Sequence, residues 1–139
     1  MKRLLLLMLL FGMVVTLTPG YGMAYSGPSY CAMGSMNGVK YLTGGVGLSE
    51  RTQMQEMAKN YNVELIFAGP GKGYLANVQV DIKDSNGINL IQIGSNGPWF
   101  FAELPAGQYS ITVTHNGQTK TRKLVVGKGS QEEMFHFKA

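Results

Sequence analysis

Phe101-Ala102-Glu103-Leu104-Pro105-Ala106-Gly107-Gln108-Tyr109-Ser110-Ile111-Thr112-Val113 is the stretch that decides the fold. A Leu-Pro-x-Gly-x-Tyr corner feeds a segment in which apolar residues fall at every second position. Tyr109, Ile111 and Val113 share one face, and Ser110 and Thr112 take the other. A period of two belongs to a strand with one buried face. Asn116-Gly117 follows directly. That pair readily takes positive φ at both positions, so it makes a two-residue hairpin turn and sends the chain back along Gln118 to Val126.

The same grammar extends in both directions. Val63 to Ala68 is a first strand, and Gly69-Pro70-Gly71-Lys72-Gly73 is a loop by composition. Tyr74 to Lys83 is a second strand, with Ala76, Val78, Val80 and Ile82 on one face. Asp84-Ser85-Asn86-Gly87 turns the chain into Ile88 to Ile93, and Gly94 to Pro98 turns it again into Trp99 to Glu103. After the hairpin around Asn116-Gly117, Gln131 to Phe137 is the last strand. Short strands at this spacing, without strand–helix alternation, predict a mainly β fold of about seven strands in an antiparallel sandwich, Ig-like or prealbumin-like. One short N-terminal helix precedes them. Met54, Met57, Ala58 and Tyr61 recur at spacings of three and four, Ser49 stands where a cap would, and Glu50 sits at the positive end.

These residues resemble the carboxypeptidase regulatory-like domains, which have a transthyretin-like (prealbumin-like) sandwich. The resemblance rests on Leu75-Ala76-Asn77-Val78-Gln79-Val80, on Asp84 to Gly87, on Phe101 to Tyr109 and on the strands around Asn116-Gly117. It spans about Val63 to Phe137. It implies a small exported bacterial module of the kind that carries this domain alone. It implies no chemistry, because such domains serve as accessory, binding and structural units.

The amino terminus supplies an address. Met1-Lys2-Arg3 precedes an apolar run from Leu4 to Leu17, and small residues follow at Gly22-Met23-Ala24 and Ala24-Tyr25-Ser26. A basic start, a short apolar core and a small-residue exit predict a secretory signal peptide over residues 1–24, cut before Tyr25 or before Gly27. The run is shorter than the roughly 20 apolar residues of a membrane span. Residues 25–46, rich in Gly, Ser, Met and Tyr without a period, are expected to be a flexible linker. Residues 47–61 are assigned to the helix and 62–139 to the sandwich. The expected location is periplasmic or secreted, with no stable membrane span after cleavage.

The formal net charge of +4 falls to +2 once Lys2 and Arg3 are removed. The only basic cluster, Lys120, Arg122, Lys123 and Lys128, divides between the two faces of a strand. Nucleic-acid binding wants a concentrated basic face, so no nucleic-acid partner is expected. A single cysteine, Cys31, precludes an internal disulfide, and the core alone must hold the fold.

Catalysis needs a nucleophile with a positioned base, and the only histidines are His115, beside a hairpin turn, and His136, between two phenylalanines. No G-x-S-x-G pattern or zinc-peptidase spacing is present. Cys31, Met33 and Met36 are soft-metal ligand types without a repeated tract. The sequence therefore points to no enzyme, no cofactor and no metal. The expected function is a non-catalytic exported module that binds or assembles with an envelope protein. The alternative is a carbohydrate-binding module for a cell-surface polysaccharide, with Trp99, Tyr74 and Tyr109 as the ligand-binding residues.

Overall fold

A computed structural model describes residues 31–71 and 73–139. The expected signal peptide, both cleavage points and the start of the expected linker lie outside the described residues. Nine strands and one short helix follow in chain order: β1 Ala32–Met36, β2 Val39–Gly44, α1 Leu48–Met57, β3 Val63–Ala68, β4 Gln79–Asp84, β5 Asn89–Gly94, β6 Trp99–Glu103, β7 Gly107–His115, β8 Gln118–Val126 and β9 Gln131–His136. One sheet has the order β1-β2-β6-β3-β9 and the other β5-β4-β7-β8. The inward side chains of both sheets form one core, with Val63, Leu65, Phe67, Phe100 and Phe135 facing Val80, Ile82, Ile91, Ile111 and Val113.

Two expectations about the sheets are corrected. The strands number nine among the described residues, not seven. The pairing is not wholly antiparallel either, because β3 and β9 run parallel from Val63↔Gln131 to Ala68↔His136. The segment expected to be a flexible linker is in its greater part a hairpin. Asn37 and Gly38 turn at φ +50° and +79°, and β1 pairs with β2 from Met36↔Val39 to Ala32↔Thr43. That turn geometry suits the right-handed twist of the flanking strands. β2 then lies between β1 and β6, with Val39, Leu42 and Thr43 buried.

Side chains close both open sides of the sandwich. On one side Arg122 meets Glu133 at 2.7 Å and its guanidinium lies 4.7 Å from the Phe135 ring centre. The basic residues on that face of β8 thus cover core aromatics. On the other side Asn37 Nδ2 donates to the carbonyls of Asn89 and Leu90 at 3.3 and 3.1 Å, tying the new hairpin to the edge strand β5.

The helix packs on the outer face of the five-stranded sheet. Met54, Leu42 and Phe101 form a second buried cluster, with Met57, Ala58, Tyr61 and Trp99 around it, so the apolar stripe read from the sequence is the docking stripe. The cap differs from expectation. Gly47 is the N-cap residue, Ser49 lies inside the helix, and no side chain caps the first turn. Instead the Glu50 carboxylate reaches back to the N–H groups of Gly45 and Val46 at 3.0 and 3.1 Å. This resembles the backward reach of a capping-box acid, displaced onto the loop ahead of the helix.

Candidate functional site at one end of the five-stranded sheet

Three chain segments meet at one end of this sheet. β2 ends at Gly44, β3 ends at Ala68, and β6 begins at Trp99, paired with Gly44 on one side and with Ile66 on the other. The loops beyond them are pinned by specific bonds. Thr43 Oγ1 donates to the Trp99 carbonyl and accepts from Asn96 N–H, each at 3.0 Å, and Phe67 N–H donates to the Pro98 carbonyl at 2.8 Å. Gly45, at φ +91°, lays bare backbone on the indole, because a Cβ there would stand 3.0 Å from Trp99 Cγ. The loop geometry therefore depends on close approach as well as on hydrogen bonds.

Arg51 stands in the first turn of α1 above this junction. Its Nε donates to the Gly45 carbonyl at 2.8 Å, which fixes the plane of the guanidinium. The Tyr74 ring centre lies 4.3 Å from its Cζ and the Trp99 ring centre 5.9 Å away. Tyr74 reaches that position because an isolated bridge joins it to Ala68 at the end of β3. It belongs to no regular strand, in contrast to the expected Tyr74–Lys83 strand, since β4 begins only at Gln79. Around this stacked group the surface is apolar and exposed: Val46 at 59%, Leu48 at 82% and Tyr74 at 55%.

Of the three residues expected to bind a ligand, the structure brings two together. Trp99 and Tyr74 flank Arg51. Trp99 is no open platform, since its ring also stacks on Phe101 at 5.9 Å and is overlaid by Gly45. Tyr109 belongs to the other sheet and is 7% exposed, with its hydroxyl donating to the Pro105 carbonyl at 2.6 Å. Its ring is committed to the core. It is one of the residues lining a cleft of about 460 Å³, together with Asp84, Ser85, Ser110 and Lys123. Sequence reasoning missed Arg51, Val46 and Leu48. The partner rings lie 23 and 48 residues downstream of Arg51, beyond any local pattern.

His115 packs edge-on against Phe137 at 5.6 Å, and His136 lies exposed on β9. Burial pushes the Cys31 thiol up, the Glu50 carboxylate pushes it further, and its Sγ lies 3.5 Å from Gln53 Oε1. Burial likewise raises Glu64, with a smaller push from Glu132, its register partner on β9. Among the described residues no group of three or more His, Cys, Asp or Glu is placed to hold a metal ion. No helix among them is long and apolar enough to cross a membrane.

The fold and this junction define a β-rich module of two packed sheets carrying an arginine–aromatic cluster at one end. No protein-family model matches the chain, and no curated protein is significantly similar to it.

Proposed function

We propose that this chain is an exported, non-catalytic module of the cell envelope that docks a protein partner on the loop end built from Val46, Leu48, Arg51 and Tyr74. The observation that carries the reading is the exposure of Leu48 and Val46 beside a stacked Arg51 and Tyr74. Aromatic residues and arginine concentrate the binding energy of protein interfaces, and an apolar surround excludes water from them. The loops are pinned to rigid strands, so little ordering entropy opposes docking. Export to the periplasm or beyond is supported by the Met1 to Ala24 pattern. Membership of the carboxypeptidase regulatory-like, prealbumin-like domains is supported by the corner from Leu104 to Tyr109, where the tyrosine bonds back to the Pro105 carbonyl.

The glycan reading has one supporting feature, the exposed Tyr74 ring, whose stacking on Arg51 leaves a single face for a sugar. Trp99, enclosed by Gly45 and Phe101, adds no second platform. The two readings separate when tagged protein is purified from its native envelope as wild type and as Leu48→Asp. A protein that co-purifies with the wild type and is lost from the variant supports docking. Sedimentation of both forms with polysaccharide, without a protein partner, supports the glycan reading.

A further inference from the structure

We propose that the partner segment presents a single Asp or Glu carboxylate to the outer edge of Arg51, next to an aliphatic side chain that covers Leu48. This rests on the docking reading above and specifies its chemistry. The guanidinium is planar and carries five donors. The Nε donor is used by the Gly45 carbonyl, and the Tyr74 ring covers a face. What remains is the edge formed by the two Nη groups. Arg51 makes no ion pair with any described residue, whereas Arg122, the other stacked arginine, is paired with Glu133.

An arginine held flat by a backbone carbonyl and an aromatic ring has already lost most of the freedom that binding would otherwise take from it. The fork geometry of its remaining edge matches a carboxylate. The surroundings select among anions. Val46, Leu48 and Tyr74 form an apolar rim, which strengthens one charge-assisted bond but cannot solvate a multiply charged group. Phosphate-rich ligands are met by several cations together, and among the described residues Arg51 is the single basic side chain in this cluster.

The test uses the full mature chain and two short probes, acetyl-Leu-Asp-amide and its uncharged analogue acetyl-Leu-Asn-amide. The Arg51 Nε–H resonance of the wild type, and the backbone amide resonances of Val46 and Leu48 in every form, are followed by NMR during titration. The expected result is a saturating shift with the Asp probe, at least about tenfold weaker with the Asn probe, and lost in Arg51→Gln. Arg51→Lys keeps the charge without the fork and is expected to bind as weakly as Arg51→Gln. Equal responses to the two probes, no response to either, or full binding by Arg51→Lys would overturn the carboxylate assignment. The envelope purification separates this failure from failure of docking. Loss of the partner in Leu48→Asp but retention in Arg51→Gln and Arg51→Lys leaves docking standing and removes the carboxylate. Retention in all three removes both, as does capture of an acidic polysaccharide in place of a protein.

Discussion

Tyr109 reaches back four residues and donates its phenolic proton to the carbonyl of Pro105 at 2.6 Å, locking the corner that launches the longest hairpin of the fold. The ring itself is buried against the core. One residue thus fixes both the exit angle of the Leu104-Pro105 turn and the phase of β7. Burial and, to a smaller extent, the Asp84 carboxylate raise its phenol above the ordinary range, so it remains a donor throughout neutral conditions.

Tyr109→Phe keeps the ring and removes this bond. It is expected to lower stability by about 1 kcal/mol, the usual net worth of one such hydrogen bond, while preserving the fold. Urea unfolding checks the value. Envelope partner capture is expected to be unchanged, because Tyr109 lies on the other sheet from Arg51.

Leu42 is fully buried between the helix and the sheet, touching the cluster of Met54 and Phe101. Leu42→Ala is expected to cost about 2–5 kcal/mol by creating a cavity. A flexible linker would tolerate the change without effect, so the urea midpoint of this variant distinguishes a structural hairpin from a tether.

That hairpin shows what the sequence made legible and what it hid. The turn pair Asn37-Gly38 is the same two residues as Asn116-Gly117, and both take positive φ. The second was recognised because long alternating strands flank it. The first is flanked by Ala32-Met33-Gly34-Ser35-Met36, a segment poor in β-branched residues, which matches the composition of a linker. Its strand character comes from pairing with Val39 to Thr43, and β2 in turn is held by β6. The parallel β3–β9 pair was hidden for a similar reason. It joins segments more than sixty residues apart, and no local turn announces it. The alternation of Val78, Val80 and Ile82, of Tyr109, Ile111 and Val113, and the helical stripe of Met54, Met57 and Tyr61 were all plain because each side's burial is written into a short period. The candidate site was only half legible, since Trp99 and Tyr74 stood out as aromatics but the arginine between them did not.

Gly97 lies against the backbone of Gly44, and a Cβ at residue 97 would fall on the Gly44 carbonyl. Backbone cannot give way as a flexible side chain can. Gly97→Ala is therefore expected to destabilise by about 1–3 kcal/mol, as overpacking does. It should also separate the two loops that frame Trp99, which a change in Trp99 fluorescence would report.

Glu64 holds its proton more tightly when folded than when unfolded, first because it is partly buried and then because Glu132 stands beside it. A carboxyl group raised in this way contributes its stability fully below the ordinary glutamate range. That contribution is lost as pH rises through the raised folded value. Glu64→Gln is expected to raise stability at neutral pH relative to wild type and to reduce the fall in stability across mildly acidic pH. Glu132→Gln is expected to do the same to a smaller degree. Urea midpoints measured across mildly acidic to neutral pH test the sign; an unchanged slope in Glu64→Gln would contradict it.

The central claim is that the Arg51 end of the sandwich is the docking surface. A benzophenone amino acid placed at residue 48, and in a separate protein at residue 85 on the β4–β5 turn, allows photocrosslinking inside the native envelope. The account predicts one recurrent protein adduct from residue 48, no such adduct from residue 85, and loss of the residue-48 adduct in Arg51→Gln. Adducts from residue 85 alone, or none from residue 48, would contradict it.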